Sequence, residues 1–300
     1  MSTDPIIGTA SLTFPWQTRD PFLVCVHHVD HYPQGNERLG PAASLDGRDM
    51  GQDFAGKDGW RMYHGHAVPG FPQHPHRGFE TVTFVREGYI DHSDSLGATA
   101  RFGRGDVQWL TAGRGIVHAE HPRPQTEEQF TLHGLQLWTS LPRALKLSEP
   151  RYQNIDAASI AEVEAEGVRT RVIAGELDGV KGPAATLMPT FLWHVRIEAG
   201  STFEAAIAEG FEAGVYVVDG TAVIGDATRA VTGELAVLAG GEGRLSIRNA
   251  GDKALDAMVL GGAPAEGPLV FHGPFVMNSV DQVRAAEIAY RTGRMGHLDD

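Results

Sequence analysis

One strand pattern occurs twice along this chain, and this duplication restricts the fold more than any other feature. The block Gly78–Gly88 aligns without a gap with Gly210–Gly220, and both are rich in β-branched and aromatic residues. The segment Gly105–Leu110 has a counterpart in Gly233–Leu238, at a similar distance after the first block. Repeated short strands separated by glycine turns are typical of sandwiches and barrels. We therefore predict an all-β fold that contains two tandem β-barrels.

The composition fits such a fold and argues against several kinds of partner. The chain has 37 glycines and 17 prolines in 300 residues, which favours many turns between short strands. Its net charge of −13 disfavours binding to nucleic acid and to anionic membrane surfaces. No stretch approaches the ~18 apolar residues of a membrane span. The single cysteine, Cys25, allows no disulfide within the chain, so we expect a cytoplasmic protein.

The two barrels differ in their histidine content. Of the 14 histidines, only His194, His272 and His297 follow His133. We therefore predict an N-terminal metal-binding domain over residues 1–145 and a C-terminal domain over residues 146–300 that lacks metal ligands. In the C-terminal domain, Ser279 to Gln282 has the spacing of a capping box and predicts a short helix over residues 283–290. The polar stretch from residue 31 to 60 is a long loop, of the kind that is either functional or mobile.

Two pairs of side chains at alternate positions suggest a metal site. His74 and His76 form one pair, and His118 and Glu120 form the other. Alternate residues of a strand point to the same face, so each pair can direct two donors to one point. Three imidazoles and one carboxylate suit Fe(II), Mn, Ni, Cu or Zn.

Longer motifs around these residues resemble the pirin family of bicupins. The resemblance runs from about Asp20 to Gly296. It is carried by His74–Thr83, the Asp94–Gly97 turn, Gly105–Gly113, Gly115–Glu120 and Phe271–Asn278. It implies two cupin barrels and one iron-type site in the N-terminal barrel, with His74, His76, His118 and Glu120 as the metal ligands.

Other residues compete for a place in this site. The general cupin pattern makes Glu80 a rival ligand. The second copy keeps a glutamate, Glu212, at the equivalent position, although Ala206 and Ala208 replace the histidine pair there. A carboxylate that is kept without its histidines favours a structural role for Glu80. The pair His64 and His66 lacks a completing ligand, so we expect it in a loop or at a pocket rim. We expect three further histidines to be exposed or hydrogen-bonded strand residues outside the site, namely His92, His121 and His133.

The resemblance implies more than one function, because some pirins resemble quercetin dioxygenases and others are described as regulators. We expect an Fe(II)-dependent dioxygenase that cleaves a flavonol or similar enolisable aromatic with O2, in which Glu120 is both a ligand and the catalytic base. The alternative is a non-enzymatic iron-binding protein that senses redox state and binds a protein partner. A third hypothesis is an isomerase or small-molecule binder that uses Zn or Mn without redox chemistry.

Overall fold

The computed structural model describes residues 6–11, 16–17, 20–123, 128–238 and 243–298. Strands dominate it. The first eleven are β1 (Ile6–Ser11), β2 (Trp16–Gln17), β3 (Phe22–Tyr32), β4 (Phe71–His76), β5 (Phe79–Glu87), β6 (Tyr89–Asp94), β7 (Thr99–Gly103), β8 (Val107–Thr111), β9 (Ile116–Pro122), β10 (Phe130–Ser140) and β11 (Arg151–Ile155).

Fourteen further strands and one α-helix complete the described fold. These strands are β12 (Ala161–Ala165), β13 (Val168–Ala174), β14 (Glu176–Leu177), β15 (Val180–Lys181), β16 (Thr190–Ile197), β17 (Thr202–Ile207), β18 (Glu212–Asp219), β19 (Thr221–Ile224), β20 (Thr228–Val231), β21 (Glu234–Leu238), β22 (Gly243–Asn249), β23 (Leu255–Gly262), β24 (Val270–His272) and β25 (Phe275–Met277). The helix is α1 (Val280–Arg291), and short 3₁₀ turns lie at Lys57–Gly59, Arg143–Leu145 and Ala157–Ser159. The predicted all-β fold with a short C-terminal helix is confirmed.

The chain forms two compact units. The first unit contains Val26–Leu137, Arg143–Ala157 and the residues from Gly267 onward, and the second contains the described residues up to Cys25, Trp138–Pro142 and Ala158–Glu266. A boundary at residue 145 stays a prediction. The compact units are not divided at a single position in the sequence. The C-terminal segment, which includes α1, packs with the histidine-rich part of the chain.

Each unit contains two larger sheets. One sheet, most of which lies in the first unit, has the order β11-β8-β5-β10-β3-β2, and a second sheet of the first unit has the order β4-β9-β6-β7. The division into units cuts through β3 and β10, and β2 belongs to the second unit. In the second unit, the sheets have the orders β1-β21-β18-β23-β16-β13-β12 and β17-β22-β19-β20.

The repeated sequence blocks occupy equivalent strands. The first block forms β5, which pairs antiparallel with β8, and the second forms β18, which pairs antiparallel with β21. The shorter repeated segments supply β8 and β21. The duplication in sequence is therefore a duplication of strand pairing.

The interior of the second unit is filled by apolar side chains. One cluster of buried residues joins both of its larger sheets and includes Trp193, Phe203, Ile207, Leu245 and Val259. Within the described residues, the groups of side chains that could hold a metal ion all lie in the first unit. Close packing explains this difference, since an apolar core leaves no space or donor for an ion.

The helix α1 begins as the capping pattern predicts. Ser279 is the N-cap, and its hydroxyl accepts a hydrogen bond from the backbone N–H of Gln282 at 3.2 Å. The buried face of α1 includes Ala286 and Ala289, which cluster with Val117 of β9. The helix therefore covers the strand that also carries His118. No helix in the described part of the chain has both the length and the apolar character that a membrane span requires.

A buried arginine organises the long segment between β3 and β4. The Arg48 guanidinium donates to Asp53 at 2.8 Å and to the carbonyl oxygen of Trp60 at 3.0 Å. It also lies 3.4 Å from the centroid of the Trp60 ring. A buried charge is tolerated only when it is paired and hydrogen-bonded, and Arg48 meets both conditions. The segment is therefore an ordered part of the first unit.

Candidate metal centre

Three of the histidines singled out by their spacing meet inside the first unit. His74 and His118 lie directly opposite each other on the antiparallel strands β4 and β9. Ligand nitrogens of His74, His76 and His118 all lie within 4.8 Å of one another. The ring centroids of His74 and His118 are 4.3 Å apart, and each is 4.8 Å from that of His76. The strand pairing thus brings together donors that are distant in sequence.

Burial keeps these three imidazoles neutral. It lowers the pKa of His74 to about 4, and it lowers the pKa values of His76 and His118 well below the usual 6.5. A neutral imidazole has a lone pair for a metal ion, whereas an imidazolium repels the ion. At neutral pH the cluster can therefore bind a cation without first losing protons.

The hydrogen bonding of the cluster fits a metal ion. Both ring nitrogens of His118 are buried, and neither has a hydrogen-bond partner among the described residues. Such an unpaired buried atom costs about 1–3 kcal/mol unless a ligand satisfies it. The Nδ1 atom of His74 lies 2.8 Å from the carbonyl oxygen of Pro72, which places the proton on Nδ1 and leaves Nε2 for an ion. A divalent cation would satisfy these nitrogens.

Glu120, the fourth predicted ligand, is buried beside His118. Its Oε2 accepts a hydrogen bond from the amide of Gln136 at 2.8 Å, and Thr83 Oγ1 lies 3.5 Å from its Oε1. Burial raises the pKa of Glu120, because a charged carboxylate is disfavoured in an apolar interior. A ligand oxygen of Glu120 lies within 4.8 Å of ligand nitrogens of His118 and His92. The four-residue ligand set stays a prediction.

His92 enters this region, although the sequence alone predicts a position outside the site. It is buried on β6, directly opposite Glu120 of β9, and its ring centroid is 5.5 Å from that of His118. Its Nε2 lies 3.0 Å from Asp94 Oδ2, and its Nδ1 lies 3.2 Å from the amide nitrogen of Gln108. Because hydrogen bonds engage both ring nitrogens, His92 is held in place by Asp94 and Gln108 and has no lone pair left for an ion. The expectation that His92 is hydrogen-bonded holds.

The signal for His92 is present in the alternation of its strand. Ile90, His92 and Asp94 are buried, and the residues between them are partly exposed. This period-two pattern directs His92 into the barrel. The predicted hydrogen bonding of two other histidines is also found, since His121 contacts the carbonyl oxygen of Pro69 and His133 contacts His27.

Glu80, the rival ligand, belongs to neither cluster of potential metal ligands. It is fully buried on β5, and its Oε1 accepts a hydrogen bond from the hydroxyl of Thr111 at 2.6 Å. Thr111 lies directly opposite it on β8. A cross-strand hydrogen bond of this kind favours the structural role.

The pair His64 and His66 is exposed and lies outside both clusters. His64 Nδ1 contacts the carbonyl oxygen of Gly51 at 2.8 Å. Its ring packs edge-on against Phe71, which also packs against His74. The position matches the rim role expected for His64.

A small cavity adjoins Glu120 in the first unit. Its volume is about 20 Å³, enough for about one water molecule. Its wall combines side chains that carry polar groups with apolar side chains and a proline. It is lined by His28, Tyr63, Thr83, Glu120 and Gln136, together with Phe71, Ile90, Pro122 and Leu132.

Two barrels of this kind, with the donor cluster confined to one of them, define the chain as a bicupin. The profile of the family described as Pirin matches residues 17–139, and the profile described as Pirin C-terminal cupin domain matches residues 192–296. The chain therefore belongs to the pirin family.

Individual relatives cover most of the chain. A "Pirin-like protein" of Solanum lycopersicum is 41% identical over 230 residues, covering 76% of this chain and 77% of the relative. Human "Pirin" is 36% identical over 230 residues, covering 76% of this chain and 78% of the relative. The crystal structure of a quercetin 2,3-dioxygenase from Acinetobacter baumannii matches with a TM-score of 0.81 at 27% identity, covering 99% of this chain and all of that one. The predicted bicupin fold is confirmed.

Proposed function

We propose that this protein is a metal-dependent dioxygenase that cleaves a flavonol or similar enolisable aromatic compound with O2. The ligands are His74, His76, His118 and Glu120, and Fe(II) is the preferred ion among first-row metals that include Mn, Ni, Cu and Zn. The observation that carries the proposal is the convergence of three neutral imidazoles, two buried and that of His74 partly buried, beside a buried carboxylate. The similarity to a quercetin 2,3-dioxygenase over nearly the whole chain supports the reaction class.

Glu120 has two roles in this proposal. It holds the ion together with the histidines, and it takes the proton of the substrate hydroxyl. Burial raises the pKa of Glu120 and so makes the carboxylate a stronger base than an exposed glutamate. The amide of Gln136 donates to Oε2 at 2.8 Å and holds the carboxylate in one orientation. This orientation fixes where the proton is received.

The barrel wall and the ion supply the remaining parts of the reaction. A divalent ion would supply Lewis acidity, which favours the substrate hydroxyl as its anion and makes the substrate electron-rich toward O2. Apolar side chains, among them Phe71 and Leu132, line the cavity beside Glu120 and limit access of water.

The proposal places the protein in the cytoplasm, consistent with one buried cysteine and no disulfide partner for it.

The size of the cavity favours a second candidate function. The space beside Glu120 has a volume of only about 20 Å³, about that of one water molecule. A protein that binds iron without turning over a substrate needs no larger space. In this alternative, the change between Fe(II) and Fe(III) alters the charge of the first unit by one and thereby its affinity for a protein partner.

Anaerobic metal loading followed by oxygen uptake distinguishes the two functions. The apoprotein is loaded with Fe(II), Mn(II), Ni(II) or Cu(II), quercetin is added, and O2 consumption and bound metal are measured. We expect turnover with at least one metal, loss of metal and turnover in His76→Ala, and neither loss in the rim variant His64→Ala. Full metal binding without turnover above the His76→Ala level would overturn the flavonol dioxygenase and favour the regulator.

The regulator requires its own measurement. Apo, ferrous and ferric forms are compared for binding to the same partner protein. Equal affinity of the three forms would exclude a redox switch.

A further inference from the structure

The C-terminal segment, residues 267–298, belongs to the first unit and contacts one of the predicted metal ligands. Its strands β24 and β25 form a hairpin whose loop consists of Gly273 and Pro274. The carbonyl oxygen of Pro274 lies 3.4 Å from Nδ1 of His76, which is 198 positions earlier in the sequence. A carbonyl oxygen can only accept a hydrogen bond, so this contact places the proton of the His76 ring on Nδ1.

His74 has an equivalent contact within its own strand. Its Nδ1 lies 2.8 Å from the carbonyl oxygen of Pro72. A histidine that binds a metal ion commonly donates its other N–H to a carbonyl or carboxylate, which orients the ring and raises its basicity. The two predicted ligands of β4 thus share one arrangement, but His76 takes its acceptor from the C-terminal segment.

The hairpin is fixed against the residues that follow β4. The backbone N–H of Val276 donates to the carbonyl oxygen of Arg77 at 3.1 Å. The buried ammonium of Lys146 donates to the carbonyl oxygens of Gly78 and Val276, at 2.7 and 3.1 Å. A Cβ at Gly78 would collide with the carbonyl oxygen of Val276, so the close approach requires glycine. This packing determines the position of the hairpin loop.

The same segment supports the second ligand strand, β9. Phe275, the residue after the loop, is buried in a cluster with Val117 of β9 and with residues of α1. Val117 lies directly opposite Pro75 of β4. Both residues alternate with the predicted ligands and therefore face away from the cluster. The C-terminal segment thus packs behind the ligand strands and also contacts His76.

We propose that the loop of this hairpin positions His76 for the metal ion, because the Pro274 carbonyl oxygen accepts the Nδ1–H of the ring. The metal affinity of the first unit then depends on residues that follow the second sequence repeat. This inference rests on the proposed metal site and adds Pro274 to it as a positioning residue. An imidazole that binds a cation through Nε2 is a stronger donor at Nδ1, so the contact stabilises the loaded form more than the empty form.

The test alters the backbone of the loop by a single substitution. Gly273 has a φ of 52°, which a β-branched residue does not adopt without strain, and a Cβ there would meet no atom within 4 Å. Gly273→Val therefore changes the path of the backbone without a steric clash. We expect it to weaken Ni(II) binding by about 10- to 100-fold, the range for residues that orient metal ligands. Competition with a chelator measures this affinity in the full chain.

Gly179→Val is the matched control. Gly179 has a φ of 82° and lies in the two-residue loop between β14 and β15 of the second unit, and a Cβ there would also meet no atom within 4 Å. The same strain at this distant loop should leave the Ni(II) affinity within about twofold. Pro274→Ala keeps the carbonyl group and should bind Ni(II) more tightly than Gly273→Val.

The tautomer of His76 gives a measurement that does not depend on metal. It is read by ¹⁵N NMR of labelled histidine in the apoprotein, with His76→Ala to assign the signal. Wild-type His76 should be in the Nδ1–H form, and Gly273→Val should shift it toward the Nε2–H form. Gly179→Val should leave the signal unchanged.

The outcomes distinguish this inference from the proposed function. A wild-type His76 with its proton on Nε2, or equal Ni(II) affinities of the two valine variants, would overturn the inference. A loss confined to Gly273→Val, without O2 consumption under any metal, would support the inference and overturn the dioxygenase. Ni(II) binding that His76→Ala leaves unchanged would overturn both. If Gly273→Val does not fold, the tautomer of wild-type His76 decides the result.

Discussion

The buried histidines of the first unit differ in what their ring nitrogens contact, and this difference determines which of them can bind an ion. Neither nitrogen of His118 has a hydrogen-bond partner among the described residues, whereas both nitrogens of His92 are hydrogen-bonded. We expect His118→Asn to lose bound metal and His92→Asn to keep one ion per chain, with affinity reduced by about tenfold. Metal analysis after anaerobic loading measures both. Loss of the ion in His92→Asn would make His92 a ligand.

The pH dependence of stability provides a second prediction for a single residue. The pKa of His28 is lowered to about 3 in the folded protein, so the unfolded chain binds the additional proton as the pH falls below about 6.5. The folded state is therefore destabilised by acid through this window. Between pH 7 and 5, His28 accounts for a loss of about 2 kcal/mol. When the pH falls from 7 to 5, the unfolding free energy of the His28→Phe apoprotein should therefore decrease by about 2 kcal/mol less than that of the wild-type apoprotein. Urea denaturation at the two pH values measures this difference.

The control for this measurement is Leu132→Ala. Leu132 lines the same cavity but carries no titratable group. Its substitution should destabilise the protein by the same amount at pH 7 and at pH 5. An equal loss between pH 7 and 5 in wild type and His28→Phe would show that His28 is already able to take up a proton in the folded state.

At the level of the strands, the sequence predicts what depends on local pattern. The duplicated sequence blocks predict the strands β5 and β18, and the pairs at positions i and i+2 predict the clustered histidines. Both predictions succeed because strand alternation is a local property of the sequence. Two features do not follow from local pattern. The position of His92 depends on β6 pairing with β9, and the return of the C-terminal segment to the first unit depends on packing between residues distant in sequence. Long-range packing leaves little signal in a single sequence.

One contact across distant segments can be tested at Lys146. Its ammonium is buried and donates to the carbonyl oxygens of Gly78, at 2.7 Å, and Val276, at 3.1 Å. It thus connects the residue before β5 to β25. Lys146→Met removes both hydrogen bonds and leaves two buried acceptors, so we expect a loss of about 3 kcal/mol in unfolding free energy.

Chemical denaturation measures this loss, with Lys181→Met as the control. Lys181 is 79% exposed, and we expect its substitution to change stability by less than about 0.5 kcal/mol. Similar effects of the two substitutions would show that the buried hydrogen bonds of Lys146 contribute little net stability.

The molecule as a whole contains one barrel with a polar donor cluster and one barrel with an apolar interior, although both have the same strand pairing. The alignment of the two repeats places Ala206 and Ala208 where the histidine pair would fall. In the structure both alanines are exposed, and the alternate residues Ala205 and Ile207 belong to the buried core. When a strand is shifted by one residue, every side chain that faced the core faces solvent, and the reverse. Restoring histidines at the aligned positions therefore places imidazoles outside the barrel.

We accordingly expect the double variant Ala206→His/Ala208→His to bind the same single ion as wild type. Its stability should also be nearly unchanged, because exposed substitutions rarely alter unfolding free energy by more than about 0.5 kcal/mol. In contrast, Ile207→His places an imidazole in the apolar core and should destabilise the protein by several kcal/mol, since a buried polar group without a partner is costly. Metal content and urea denaturation test both variants. A second tightly bound ion in the double variant would show that the second unit retains a metal-binding geometry that its apolar interior does not suggest.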